Sequence, residues 1–415
     1  MSTINGGHYP ALSHRGRAVR PDGYAFGGTP DGGIARLTLS DDDRRVRDWL
    51  TAQCLDLGMT MTVDEVGNMF ALRPGRRSDV LPLAMGSHLD TQPTGGRFDG
   101  VLGVLAGLEV LRTLDAAGVV TEAPLMLVNW TNEEGARFAP VMLGSGVHAG
   151  LFSRDYANSR TDAAGESFGD ALHRIGYQGP VPSGHTRFGA MFELHIEQGP
   201  ILEAEGFRIG VVTGVQGLRW FEFELTGVAA HSGSTPMNLR HDALRGAAQV
   251  IEGVHRIACE NVGAVGTVGS LDVRPNSRNV IPGQVRASID LRHPEDRVLD
   301  EMEREIESLV AEVAASHALG HKLERISRTS PVTFDPGCIS AISAGAAAAG
   351  FATRDIVSGA VHDAVHAAAV APTGMIFVPS QGGLSHNPAE ATLPEDCAAG
   401  AQVLLDALLA YDLQC

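Results

Sequence analysis

Cysteine is scarce and poorly arranged for cross-linking. The 415 residues hold five, Cys54, Cys259, Cys338, Cys397 and Cys415, scattered and odd in number. That excludes a disulfide framework, offers no Cys-x-x-Cys metal pattern, and suits a reduced, intracellular setting, the cytoplasm. Basic charge is also short: 32 Lys and Arg face 49 Asp and Glu, a formal charge of −17. A surface that acidic repels phosphate backbones, so nucleic acid is excluded as a partner. No apolar run reaches the roughly 18 residues of a membrane span, and the segment around Ala344 to Ala349 is small-residue helix material. The N-terminus shows no basic region followed by an apolar one, so no secretory signal is expected. Internal repeats and long low-complexity segments are absent.

What is present reads as a globular α/β protein. Apolar residues make up 44% of the chain, enough for a core, and the length suits two domains. Residues 1 to about 35 are rich in Gly, Pro and Arg and are expected to wrap the surface or pad the rim of a site. Helix one is expected from Ser40, with Asp41 to Asp43 at its N-terminus and Val46, Leu50, Cys54 and Leu57 at helical spacing. A strand pair follows at 59–64 and 68–73. Strands at 82–88 and 125–130 flank a small-residue helix at 101–114, and helix is expected at 143–152. Between 153 and 188 only 171–175 reads as a short helix. Strands at 190–196 and 206–212 complete an alternation that predicts a mostly parallel sheet.

The pattern then changes to strand-helix-strand-strand-helix-strand, at 218–225, 239–259, 264–273, 284–291, 295–317 and from 323. That is the split βαβ, ferredoxin-like plan, and it implies a compact domain inserted into the first. The expected boundaries are residues 1–214 and 330–415 for the larger domain and 215–329 for the insert. The larger domain resumes with an Ala-rich helix, a strand at 374–378 and a closing helix at 394–411.

Imidazoles and carboxylates gather where apolar runs end. His88 and Asp90 follow the first buried strand, Glu133 and Glu134 the second, His195 closes the third, and His386 follows the last. Asp99 sits in the Gly-rich loop Gly95-Gly-Arg-Phe-Asp-Gly100. Open α/β sheets bind ligands at the carboxyl ends of strands. One loop histidine means little, since most are merely solvated. Several at successive strand ends point to a divalent metal centre of His88, Asp99, Glu134, His195 and His386. That donor set suits Zn²⁺, with Mn²⁺ or Co²⁺ as alternatives. Asp99 has two oxygens and could bridge two ions about 3.5 Å apart. Adjacent side chains of an extended segment point opposite ways, so Glu134 could bind metal while Glu133 acts as a general base. Asp90 could accept the free ring N–H of His88 and orient it.

These stretches resemble a known family. Gly86-Ser-His-Leu-Asp-Thr91, the Asp99 loop, Asn132-Glu-Glu-Gly-Ala-Arg-Phe138, Glu193-Leu-His-Ile-Glu-Gln-Gly199 and Gly382-Gly-Leu-Ser-His-Asn-Pro388 resemble the dinuclear zinc amidohydrolases. This group includes N-carbamoyl-L-amino-acid hydrolase, β-ureidopropionase and allantoate amidohydrolase, within the aminoacylase and carboxypeptidase-like metallopeptidases. The resemblance runs from about residue 40 to the end. It implies one metal on His88, Asp99 and His195, and another on Asp99, Glu134 and His386. Glu133 would be the base, and the inserted domain a lid through which a homodimer forms. Ala230-His-Ser-Gly-Ser-Thr-Pro-Met237 resembles the lid motif whose histidine, here His231, serves the neighbouring subunit. Asn279 and Arg292 match residues that bind the substrate carboxylate. Ser358-Gly-Ala-Val-His-Asp-Ala364 matches a motif that brings His362 to the substrate, with Val361 where the family has a smaller residue. Gln198 is expected to touch substrate as well. The implied reaction is hydrolysis of a ureido group on a small, carboxylate-bearing molecule. Residues 127–138 lean towards β-ureidopropionase. The rivals are allantoate hydrolysis and a catalytically silent binding homologue.

Overall fold

The computed structural model describes residues 26–414. The expectation for residues 1–25 and the fifth cysteine, Cys415, lie outside that range. The chain divides into two compact units, one up to Thr213 and again from Phe334, the other Gly214–Thr333.

In the first unit, α1 (Asp41–Asp56) starts where the Ser40 side chain accepts the Asp43 N–H, with three aspartates against the positive end of the helix dipole. Val46, Leu50 and Cys54 form its buried stripe. The antiparallel strands β1 (Thr60–Val63) and β2 (Met69–Arg73) follow. Their turn is tied by Asp64, whose carboxylate accepts the N–H groups of Val66 and Asn68. β3 (Leu83–His88) and β4 (Leu125–Trp130) are wholly buried and parallel. Between them runs α2 (Val101–Ala116), which lies close on the sheet because Gly103 leaves room: a Cβ there would sit 2.4 Å from the Leu194 oxygen.

Helices α3 (Leu143–His148), α4 (Arg154–Asn158) and α5 (Phe168–Ile175) come next. The expected helix at 143–152 stops early, just before Gly150 turns to φ +77°. α4 was not expected and α5 is longer than expected. Each is started by a serine, Ser153 and Ser167, that accepts the N–H three residues on. β5 (Ala190–Ile196), the short α6 (Ile201–Glu205) and β6 (Ile209–Val215) close this part.

The second unit holds β7 (Gly217–Thr226), β8 (Ala230–His231), α7 (Ala243–Glu260), β9 (Val265–Arg274), β10 (Val280–Ile281), β11 (Gln284–His293), α8 (Asp296–Ser316) and β12 (Gly320–Thr329). Its sheet is antiparallel, in the order β12-β7-β11-β9, and its long elements follow the split βαβ order. β7 and β11 alternate strictly, with Phe221, Phe223, Leu225, Val285, Ala287, Ile289 and Leu291 buried against α7 and α8. α7 begins at Ala243 rather than 239, because Asp242 caps the N–H groups of Leu244 and Arg245. The two-residue β8 and β10 pair with each other and were too short to read from sequence.

The chain returns through β13 (Val332–Thr333) to α9 (Pro336–Ala348), β14 (Thr353–Ser358), α10 (Asp363–Ala367), β15 (Thr373–Val378) and α11 (Pro394–Asp412). The large sheet has the order β1-β2-β4-β3-β5-β15-β6-β13, with β14 on β6. Its middle four strands, β4-β3-β5-β15, are parallel, and antiparallel strands flank them. Among the described residues no helix is long and apolar enough to cross a membrane.

Candidate metal centre

The four parallel strands deliver the site. His88 ends β3, Glu133 and Glu134 follow β4, His195 is the penultimate residue of β5, and His386 lies in the loop after β15. Asp99 precedes α2. A parallel sheet points its carboxyl ends one way, so five residues distant in sequence converge.

Asp99 is the hub. Its Oδ1 lies 3.2 Å from His195 Nε2 and 3.8 Å from His88 Nε2. Its Oδ2 lies 3.2 Å from His386 Nε2, and Glu134 Oε2 is 3.4 Å from the same nitrogen. The ligand-type atoms therefore fall into two trios sharing Asp99, His88–Asp99–His195 and Asp99–Glu134–His386, each within 4.8 Å. Glu133 lies outside both, with Oε2 at 3.5 Å from His88 Nε2.

The surroundings fix the tautomers. His88 Nδ1 donates to the main-chain oxygen of Asp90 and His195 Nδ1 to that of Ile196, both at 2.9 Å. His88 Nε2 is left with its lone pair facing the site, whereas His195 Nε2 receives the Gly100 N–H at 3.1 Å. The expected bond from His88 to the Asp90 carboxylate is thus replaced by one to the carbonyl, since that carboxylate stands 3.9 Å away. It instead accepts the N–H groups of Glu133 and Glu134, at 3.3 and 3.2 Å. Asp90 shapes the turn that carries both glutamates. That turn is not extended: Asn132 is left-handed at φ +61°, as are Gln198 at +59° and His386 at +53°. Non-glycine residues rarely adopt this region, and three of them mark the site's loops. Gly100 is required as glycine, because a Cβ there would fall 2.2 Å from the His88 ring.

Electrostatics are severe. Burial, then Asp363, Glu134, Asp99 and Asp90, holds the Glu133 carboxyl well above its usual range. Burial, Asp99 and Asp90 do the same to Glu134. Burial, aided by Asp43, lifts Asp90 to about 7. Burial opposes ionisation of Asp99, but His195 and His386 outweigh it and hold this carboxyl well below its usual range. Burial keeps His88 neutral, with its pKa lowered to about 4. Burial also disfavours charge on His195, yet Asp99 and Glu193 raise it to about 9.

The residues present fit metal ions. His88 Nε2 and Glu134 Oε1 are buried without a hydrogen-bond partner, a costly state for ligand atoms unless an ion satisfies them. Mixed imidazole and carboxylate donors suit a borderline divalent ion. A third grouping, Glu193–His195–His362, is already committed elsewhere. Glu193 accepts from Ser87 Oγ and the Ala364 N–H, and His362 Nε2 lies 3.0 Å from Ser358 Oγ.

Residues 84–410 match the model of peptidase family M20/M25/M40. The chain belongs to this family. It is a metal-dependent family, and the two trios are its candidate ligand groups here. An N-carbamoyl-L-amino-acid amidohydrolase of Rhizobium meliloti is 51% identical over 379 residues, covering 91% of each chain. The enzyme of that name from Geobacillus stearothermophilus is 39% identical, covering 91% of this chain and 93% of its own. A crystal structure of a hydantoinase/carbamoylase family amidase from Burkholderia multivorans superposes with a TM-score of 0.93 at 50% identity, covering 97% of both chains.

The other expected residues lie in varied settings. Gln198 Nε2 donates to Asp99 Oδ2 at 2.9 Å and reaches Ser385 Oγ at 3.0 Å, so in this M20 chain it touches the shared carboxylate. His362 is 1% exposed, with its ring 4.5 Å from that of His195. It stands beside a metal-type histidine, as buried as His88 and His195. His231, Asn279 and Arg292 belong to the second unit. His231 pairs with Val280, and the Asn279 oxygen accepts the Ser232 N–H at 3.0 Å. Arg292 is half-buried and bonds Asp290 at 3.0 Å. Sequence reasoning missed Gln92, which donates to Glu134 Oε2 at 2.6 Å, and also Glu193, Ser385 and Glu390. Glu193 carried a signal: a carboxylate inside an apolar strand, two residues from His195 and so on the same face.

Proposed function

We propose that this chain hydrolyses the carbamoyl C–N bond of N-carbamoyl-L-amino acids, using two divalent ions, Zn²⁺ foremost. The observation that carries the reading is Glu133: a carboxylate outside both trios, yet 3.5 Å from a nitrogen of one of them. His88, Asp99 and His195 would hold one ion, and Asp99, Glu134 and His386 the other. Such ions, when bound, supply an acidified water and a polarised carbonyl. Glu133 would take a proton from water as it attacks the carbamoyl carbon and return it to the leaving nitrogen. The resulting carbamate breaks down, leaving the amino acid, carbon dioxide and ammonia.

Residues 1–214 and 330–415 would form the catalytic domain, and 215–329 a lid. His231 would stabilise the oxyanion, while Asn279 and Arg292 would hold the substrate carboxylate. Geometry within the lid supports a homodimer. From Gln284 to Arg292 is eight steps along β11, about 26 Å. Asn279 and His231 lie past the Gln284 end, so within one copy they and Arg292 are farther apart than one amino acid can span. Both groups can reach one substrate only if two copies contribute. The sheet edges favour the same arrangement. β12 is guarded by His321, Lys322, Glu324, Arg325 and Arg328, whereas β9 offers Gly266, Val268, Gly269, Leu271 and Val273. A charged edge resists pairing, so the second copy would add along β9. Four cysteines free of disulfides fit a cytoplasmic location.

The named relatives favour an α-amino acid over the β-ureidopropionase lean of residues 127–138. Allantoate is the second candidate, because an allantoate amidohydrolase of Bacillus subtilis is 34% identical over 397 residues. The deciding experiment is a substrate panel: N-carbamoyl-L-amino acids, N-carbamoyl-β-alanine, allantoate and a dipeptide, each with added Zn²⁺, Mn²⁺ or Co²⁺. Ammonia release only from allantoate or from N-carbamoyl-β-alanine would overturn the assignment, and no ammonia together with no cleavage of the dipeptide would favour a silent binding homologue. Arg292→Ala should raise KM for carboxylate-bearing substrates by about 10- to 100-fold, the worth of a lost charge-assisted pair. An equal loss on an analogue lacking the carboxylate would contradict its assignment.

A further inference from the structure

Asp99 and His386 belong to loops almost three hundred residues apart in sequence, yet their ligand atoms lie 3.2 Å apart. Neither loop is regular structure, and His386 is the most exposed of the five metal-type residues, its side chain 51% accessible. Something must hold the two loops in register.

We infer that Glu390 is a positioning residue that clamps the Asp99 loop to the His386 loop, with the Gly33 segment closing the same joint from outside. Glu390 is 1% exposed. Its Oε1 accepts the main-chain N–H groups of Phe98 and Asp99, at 3.0 and 3.1 Å. Its Oε2 is 2.9 Å from the hydroxyl of Ser385, the residue before His386. Glu390 belongs to neither of the two ligand trios. Gly96 makes this possible: a Cβ there would lie 2.1 Å from Glu390 Oε1.

The second half of the clamp is backbone against backbone. Ile34 exchanges hydrogen bonds with Gly95 at 3.0 and 3.1 Å. A Cβ on Gly33 would come 2.4 Å from the Gly95 oxygen and 2.9 Å from Pro388. Gly33 therefore touches the loops of both ligands at once. Arg36 anchors the segment, its Nε donating to the Leu89 oxygen at 2.7 Å and its N–H to Thr91 Oγ1 at 2.8 Å. The clamp acts on the His386–Asp99 spacing. It makes no bond to His88 or His195, which sit on strands β3 and β5.

The inference rests on the two-ion reading above and predicts a selective effect. Glu390→Ala should weaken the ion of the Asp99–Glu134–His386 trio about 10- to 100-fold, because two buried N–H groups lose their acceptor and the loops part. The ion of the His88 trio should stay. Glu390→Gln should restore both, since its amide oxygen can accept the two N–H groups and its NH₂ can face Ser385. Gly33→Ala, which pushes the loops apart without touching Glu390, should copy Glu390→Ala and keeps the test open if that variant fails to fold. The measurement is Co²⁺ titration of the metal-stripped full chain, by equilibrium dialysis and visible absorption. One tight and one weakened ion in the alanine variants, with two in wild type and Glu390→Gln, is the expected result. Two wild-type affinities in both alanine variants would overturn the clamp alone. A wild-type chain that takes up a single ion would overturn the two-ion reading and the clamp with it.

Discussion

Glu133→Gln should retain its metal content and lose turnover by about 10²- to 10⁴-fold, the usual contribution of a positioned general base. The exchange is nearly isosteric. It keeps the turn held by Asp90, because those bonds go to the main-chain N–H groups of residues 133 and 134 and not to the side chain. Both metal trios are left intact. What disappears is a group that can take a proton. The loss should fall on kcat, with KM little changed, since Glu133 acts in the transition state and grips no part of the ground-state substrate. The acidic limb of the kcat/KM profile should vanish with it. Metal analysis beside steady-state kinetics checks the outcome. Near wild-type rates would remove Glu133 as the base, and loss of an ion would mean that it ligates metal after all.

Asp90 separates this prediction from a general sensitivity of the turn. Asp90→Asn keeps one oxygen acceptor but turns an NH₂ towards one of the two N–H groups it now receives. It should shift both glutamates together, lowering metal affinity and turnover in step. A base and a support are thereby distinguished by whether the two readouts move separately.

Strand ends were legible because buried parallel strands read as continuous apolar runs, and a polar residue after such a run has few places to go. His88, Glu134, His195 and His386 could all be found in this way. Glu390 could not: its partners, Phe98 and Asp99, are close only after folding, and Glu390 looks like an ordinary loop glutamate. Gln92 and Ser385 were hidden for the same reason. Asp90 shows a subtler limit. Two residues after His88, its carboxylate and its carbonyl are both within reach of the ring, and only the backbone path decides which one is nearer. In the fold, long elements followed from period and length. The losses were α4, α6, α10, β8, β10 and β13, each too short for a period to show, and β14, where burial alternates only weakly.

Removing the ions should cost stability, and more so as pH rises. Metal-free, the centre packs carboxylates whose pKa values are raised by burial and by one another: Glu133, Glu134 and Asp90, the last to about 7. A carboxyl whose folded pKa exceeds its unfolded one holds its proton more tightly when folded. Its contribution is complete below the unfolded value near 4 and is lost as pH climbs through the folded value. His195, raised to about 9, acts in the same direction over a higher window. His88, lowered to about 4, opposes them between 4 and about 6.5, and Asp99 acts only below the range considered. The metal-free chain should therefore weaken from pH 5 to pH 8. Metal binding has the reverse dependence, because the ligands must be deprotonated. The gap in Tm between loaded and chelated protein should be small at pH 5 and on the order of 10 °C at pH 8, as expected for tight ligands on a chain of this size. Calorimetry on both forms across that range checks it. A gap that is constant or that narrows with pH would mean that the buried carboxylates are not what the ions neutralise.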